Sequence, residues 1–361
     1  MSRSNRIKKY LAAQFATLII LAASSPVVAA AEETSFVEAE AQVTSEVQAS
    51  EASNDVIKKS DETGETTEKI ALDQYWDATR MSTAIPYDSM LETGLSGTSD
   101  GNVQLPEVVD REVQPSDPVA KGGSSGSVFD GTGSRIGNSG PVNGKVFFTG
   151  TDGKDYVCSG SAVNSNNKSV VATAGHCTHG GPGENFHKNW VFVPEYTIGI
   201  APYGKFAAKH MVTTKDWAEN GENSKGFNGD FGFVVVGTAK GKKLVDAVGG
   251  NGLRSGDLPE FDGVLIAYPQ NRFFGSAMFR CNGKMTNENR GSYSFYFIRG
   301  CNFGGGASGG AWLEDYDGSH GYIRSVTSFG PRNSTQYLGG PIITKQVWDM
   351  FDKIADYQAN N

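Results

Sequence analysis

The chain has 361 residues, 20% of them charged and 38% hydrophobic, with a formal net charge of −8. That length suits one large or two ordinary domains and allows a sizeable buried core. There is no basic stripe to meet nucleic acid, and beyond the N-terminus no run reaches the ~18 apolar residues of a membrane span, so neither partner is expected.

Arg3, Arg6, Lys8 and Lys9 open the chain and precede an apolar stretch from Leu11 to Ala23. Pro26 ends the stretch, and Ala29-Ala30-Ala31 offers the small residues a signal peptidase needs. Residues 1–31 therefore read as a secretory signal peptide, which implies a secreted, extracellular product. Charge is then spread unevenly: residues 32–120 hold 20 acidic and 5 basic residues, whereas 121–361 hold 20 acidic and 23 basic. Glu32–Lys69 contains one aromatic, Phe36, and buries too little to order itself. Residues 70–92 interrupt this tract with Tyr75, Trp76, Met81, Ile85 and Tyr87, enough apolar surface to dock but not to form a core. Residues 94–140 are rich in Gly, Ser, Asp and Pro and read as linker. Residues 32–122 are thus expected to be an acidic, largely disordered segment, and 123–361 the folded body.

From Gly144 the texture changes to short β runs. "KVFFTG" is followed by "TDGKD", whose Asp152-Gly153 is a hairpin signal. "YVCSGSAV", "SVVATAG", "WVFVPEY", "FGFVVVG", "GVLIAYP", "SYSFYFI" and "GYIRSVTSF" follow, with turn residues between them. This pattern predicts an all-β sandwich or barrel. One helix is predicted over about 344–358, with Val347, Met350, Phe351 and Ile354 on one packing face. The four cysteines, Cys158, Cys177, Cys281 and Cys301, all lie in the body. An even number in an exported chain predicts two disulfides, for which three pairings exist. No CxxC spacing is present, so a metal role is not expected.

"CNFGGGASGGAW", residues 301–312, packs five glycines around Ser308. A serine becomes nucleophilic only when a base takes its proton. Five histidines are present, and His176 in "VVATAGHC" stands where an apolar strand ends in a loop. Such a base needs an orienting carboxylate. Asp230 in "NGDFGFVVV" precedes an apolar strand, whereas its competitor Asp216 has polar surroundings.

The order His176, Asp230, Ser308 on a β-rich, exported, cysteine-bearing chain is that of chymotrypsin-like peptidases. "TAGHC", "GDFGFVVV" and "GGGASGGAW" resemble the histidine, aspartate and serine motifs of that family from Gly144 to the C-terminal helix. The branch most resembled is that of secreted microbial trypsin-like peptidases related to the glutamyl endopeptidases. Tyr75, Trp76, Arg80, Met81, Ala84 and Pro86 match a pattern in their pro-regions. The resemblance implies two antiparallel six-stranded β-barrels with a C-terminal helix, and a serine endopeptidase made as a zymogen. It implies His176 as general base and acid, Asp230 as its orienting group and Ser308 as nucleophile. The N–H groups of Gly306 and Ser308 would form the oxyanion hole, with Gly309 and Gly310 leaving room for the bent backbone. It also implies the pairing Cys158–Cys177 and Cys281–Cys301. No cofactor is implied. The expected partners are protein or peptide substrates and the chain's own pro-region as inhibitor or chaperone, with the enzyme a monomer.

Some residues depart from the family pattern. Ala307 replaces the aspartate that pairs with a new N-terminus in the animal enzymes, so that activation switch is not expected. Ala311 stands where proline is common. The expected substrate pocket comprises Asn302, Phe303, Thr327, Ser328, Phe329 and Gly330. Asn302 at its floor is uncharged, which argues against Arg/Lys selection. Thr327 replaces the histidine of glutamate-specific relatives, and Phe303 would narrow the pocket.

Three other readings compete. "GASGG" fits the G-x-S-x-G elbow of α/β-hydrolases, but the only histidine after Ser308 is His320, beside Asp315 and Asp317 in a turn, and strand–helix alternation is missing. A metal enzyme lacks H-E-x-x-H, although His176 and His179 are close, and Asp315, Asp317 and Gly318 supply only a fragment of a calcium loop. The third is a secreted binding module on a peptidase fold.

Overall fold

The computed structural model describes residues 34–52, 58, 67–87, 107–119, 126–130, 135–257, 259–331 and 336–358. The expected signal peptide lies outside these residues. Eighteen strands follow in chain order among them: β1 Phe36–Glu40, β2 Ile85–Pro86, β3 Arg111–Val113, β4 Gly126–Phe129, β5 Arg135–Ser139, β6 Asn143–Thr149, β7 Asp155–Val163, β8 Val170–Thr173, β9 Lys188–Pro194, β10 Phe206–Thr214, β11 Gly232–Val236, β12 Gly252–Ser255, β13 Phe261–Ala267, β14 Phe279–Arg290, β15 Tyr293–Arg299, β16 Ala311–Glu314, β17 Tyr322–Val326 and β18 Tyr337–Pro341.

Six of them close the first barrel in the order β10-β11-β8-β7-β6-β9, with β9 returning to β10. The hairpin β6–β7 pairs Asn143 with Ser161 through to Thr149 with Asp155 around the predicted turn. β8 and β11 are buried at every position, as their uninterrupted apolar runs require. The second sheet is barrel-like and orders eight strands, β18-β15-β14-β13-β16-β17-β12-β3. A bridge from Phe329 to Gly339 brings the segment after β17 back to β18. The fold is thus the expected all-β arrangement of two barrels, and the second carries more than six strands because β12 and β3 extend it. The closing helix Lys345–Ala355 buries Val347, Met350, Phe351 and Ile354 as predicted, and Trp348 with them.

The segments before the body differ from expectation. Residues 35–52 and 67–87, read as largely disordered apart from an aromatic island, are packed on the first barrel. β1 pairs antiparallel with β10 over five residues, Phe36 with Thr214 through to Glu40 with His210. Acidic residues find basic partners there: Glu38 meets His210 at 2.7 Å and Lys353 at 3.0 Å, and Glu68 meets Lys209 at 3.2 Å. The helix Thr67–Tyr75 leads into Trp76, which is fully buried. The Trp76 Nε1–H donates to the Asn189 carbonyl at 2.6 Å, and its ring lies 5.6 Å from Phe147. The segment lacks a core of its own, but an open strand edge and a hydrophobic seat on the body supply one. The expected linker over 94–140 likewise holds β3, which pairs with β12, and the hairpin β4–β5, attached to β14 through Phe129 and Phe279.

Candidate active site

His176 sits in a single 3-10 turn, Gly175–Cys177, directly after β8. Asp230 enters from the loop before β11, the strand paired with β8. Both side chains are fully buried. The carboxylate holds the histidine twice: the His176 backbone N–H donates to Oδ1 at 2.7 Å, and Nδ1 lies 2.7 Å from Oδ2. Ser328 adds its hydroxyl to Oδ2 at 2.5 Å. A carboxylate oxygen in this position accepts from an Nδ1–H, and in the neutral imidazole that tautomer keeps the lone pair on Nε2. Nε2 is buried and has no hydrogen-bond partner among the described residues.

Two disulfides join Cys158 to Cys177 and Cys281 to Cys301. The first fixes the residue after His176 to β7. Cys158, His176 and Cys177 also form the one metal-type cluster among the described residues, but its two sulfurs are bonded to each other.

The serine loop is fastened to the first barrel through Ser159, beside that disulfide. Ser159 N–H donates to the Ser308 carbonyl at 2.7 Å, and its hydroxyl donates to the Gly306 carbonyl at 2.8 Å. The same hydroxyl accepts from Tyr268 N–H at 2.9 Å, and Thr173 Oγ1 donates to the Ser159 carbonyl at 2.8 Å. Gly309, the residue after Ser308, is thereby held against Thr173 and Ala174, just before His176. Gly306 and Gly309 have φ of +83° and +78°, a region that favours glycine. A Cβ at Gly309 would lie 2.1 Å from Thr173 Oγ1 and 2.3 Å from the Ser159 carbonyl, so the close approach itself requires glycine. On the far side the loop is braced by Gln270, whose N–H donates to the Gly305 carbonyl at 2.6 Å.

Two further groups support this frame. His187 is fully buried, and burial pushes its imidazole down to about 3, so it is neutral. It lies 3.0 Å through Nε2 from the His176 carbonyl and stacks on Phe148 at 4.3 Å. Lys145 is buried in the first barrel, which lowers its ammonium to about 7. It donates to the Gly275 carbonyl at 2.8 Å and ties down the loop that carries Gln270.

No protein-family model and no curated protein matches the chain. Solved structures do. The protease Anisep from Arthrobacter nicotinovorans is 33% identical with a TM-score of 0.54; the match covers 61% of this chain and 97% of that one. A thermostable serine protease, AL20, from an extremophilic microorganism is also 33% identical with a TM-score of 0.55, over 61% of this chain and 99% of that one. The chain belongs to the chymotrypsin-fold serine proteases.

Within this serine protease the residues expected to line the substrate pocket separate. Asn302 is exposed, with φ of +54°, and its carbonyl accepts from Asn271 Nδ2 at 3.0 Å. Phe303 is fully buried in the second barrel's core, 6.3 Å from Phe279. Thr327 is buried and accepts from Trp312 Nε1 at 2.9 Å. Ser328 faces Asp230 rather than solvent. Phe329 packs among Phe227, Phe295 and Phe297, and Gly330 is buried beside Leu338. His320 and Asp317 pair with each other at 3.2 Å in the turn after β16, away from this frame. Sequence reasoning missed Ser159, Gln270 and His187, because each acts through a backbone contact that leaves no motif.

Proposed function

We propose that this serine protease is a secreted endopeptidase, made as a pre-pro-protein, that cleaves peptide bonds through an acyl-enzyme. In this reading Ser308 Oγ attacks the scissile carbonyl and gives its proton to His176 Nε2. Asp230 keeps the imidazole in the Nδ1–H tautomer and stabilises the imidazolium. The N–H groups of Gly306 and Ser308 receive the developing oxyanion, and one such donor is typically worth roughly 3 kcal/mol of barrier. His176 then returns the proton to the leaving amine, and water repeats the sequence to free the enzyme.

The observation that carries this reading is the doubly held, buried His176 whose Nε2 is left without a partner. The buried His187 also leaves one ring nitrogen without a partner, so what marks His176 is the carboxylate that holds both its main chain and its Nδ1. Two disulfides fit an oxidising, extracellular setting. Residues 1–31 would be the signal peptide and 32–122 the pro-region, which the packing of β1 and Trp76 supports as an inhibitor or chaperone of the body at 123–361. Labelling with a fluorophosphonate probe tests the chemistry. The reading expects covalent modification at Ser308, and Ser308→Ala is expected to lose turnover while still unfolding cooperatively. A correctly folded, processed chain that fails to label is instead a binding module on a protease fold.

A further inference from the structure

We infer that the slot now filled by Tyr87, against His176, is a substrate subsite for an aromatic side chain. The inference rests on the protease reading above and adds a substrate class to it.

β2 pairs in parallel with β7, Ile85 opposite Tyr156 and Pro86 opposite Val157. The next residue, Tyr87, donates its N–H to the Val157 carbonyl at 3.2 Å. The edge of β7 therefore accepts an extended peptide, one residue before the disulfide that fixes the histidine turn. On its other flank the peptide reaches the serine loop's brace, with Gln270 Nε2 3.4 Å from the Ala84 carbonyl. The strap spans both walls of the site and ends on the imidazole. The Tyr87 ring lies almost parallel to His176, 19° apart with centroids at 6.1 Å. Three more rings complete the slot: Tyr156 at 4.8 Å, His187 at 5.0 Å and Phe148 at 5.4 Å, all edge-on. Edge-to-face packing of this kind selects a flat ring over an aliphatic chain of equal area.

Tyr87 belongs to the proposed pro-region. When that segment leaves, three aromatic walls and one face of His176 are bared to water beside an edge that binds extended chains. A substrate strand on the same edge places one of its side chains in the same slot. The slot's surroundings also set its polarity. Burial, followed by negative groups that include Glu222, Asp152 and Glu184, pushes the Tyr87 hydroxyl up to about 12. An acidic side chain is disfavoured there, and a neutral ring is favoured.

The test has two arms. In the first, the full chain carrying Tyr87→Gly is melted with and without millimolar 4-methylphenol, the side chain of the missing tyrosine. A saturable rise in Tm is expected for this variant and not for the parent. 4-Hydroxyphenylacetate, the same ring with a carboxylate, should give a smaller rise. Equal responses of variant and parent, or of the two phenols, overturn the slot. In the second arm, every form of the chain that labels with fluorophosphonate is given peptides differing only in where one Tyr or Ser stands around the scissile bond. One position should favour Tyr at least tenfold in kcat/KM, and Tyr156→Ser should shrink that ratio rather than lower both rates equally. Labelling without any position that distinguishes Tyr from Ser overturns the subsite and leaves the protease reading standing. Failure to label overturns the protease reading, while the first arm still decides the slot.

Discussion

Ser328 donates its hydroxyl to Asp230 Oδ2, the oxygen that also meets His176 Nδ1. The carboxylate is fully buried, and three donors surround it: Ser328 Oγ, His176 N and His176 Nδ1. Buried charge survives only when its lone pairs are satisfied. Ser328 thus helps to hold the carboxylate that meets His176.

Ser328→Ala removes one of those donors and leaves the other two. A hydrogen bond to a charged group contributes about 1.5–3 kcal/mol. Thermal unfolding should show a loss within that range. If half of the loss is felt when the imidazolium forms, kcat falls about 4- to 12-fold, since roughly 1.4 kcal/mol is a factor of ten. An unchanged kcat would return Ser328 to a purely structural role.

Trp76→Ala tests the hold of the N-terminal segment. The indole is fully buried against Phe147 and hydrogen-bonded to Asn189. Truncating such a residue typically costs about 3–5 kcal/mol. Here that cost falls on docking of the segment, because the first barrel closes without it. The full-length variant should label at Ser308 several-fold faster than the full-length parent. Equal labelling rates would show that the segment does not shield the site.

The pH dependence of stability carries a signature of Glu195. It is buried after β9, Oε1 has no hydrogen-bond partner, and burial raises its carboxyl from 4.5 to about 8. Between those values the unfolded chain has lost the proton that the folded chain keeps. Its stabilisation is complete below 4.5 and is lost as pH rises through 8. Lys145, lowered by burial from 10.5 to about 7, acts with the opposite sign: its contribution is present above 10.5 and is lost as pH falls through 7. Glu195→Gln isolates the first. Its Tm should gain on the parent's by a few degrees as pH is raised from 5 to 8, and a constant difference across that window would refute the assignment.

The parts of the fold legible in the sequence are those that announce themselves chemically. β8 and β11 are unbroken apolar runs, Asp152-Gly153 marks the β6–β7 turn, and the final helix repeats its apolar face every three to four residues. His176 and Asp230 stand at the ends of such runs, which is why their meeting could be anticipated. β14 was not legible: "FRCNGKMTNENR" is polar along most of its length, and β13 and β15 on either side hold it extended. β1 was illegible for a related reason, since its ordering depends on the free edge of β10 and on His210 and Lys353, which meet Glu38. The burial of Phe303 was not legible, because counting back from Ser308 finds a position but not the face of the loop on which its side chain falls.

Gly309→Ala separates backbone strain from displacement of Ser308. Its φ of +78° alone would cost an alanine about 1–2 kcal/mol. Gly241, with φ of +71° and open space where a Cβ would stand, isolates that strain. At Gly309 the added methyl would also press on Thr173 Oγ1, the Ser159 carbonyl and Ala174 N, at 2.1, 2.3 and 3.1 Å. All three belong to the first barrel, so the serine loop must lift away from the element that carries His176. Gly241→Ala should lose only the strain and keep its labelling rate. Gly309→Ala should lose more stability and label at least 100-fold more slowly, since a misplacement of about 1 Å at the reacting atoms costs that much. If the two variants label at the same rate, the Ser159–Thr173 clasp does not position Ser308.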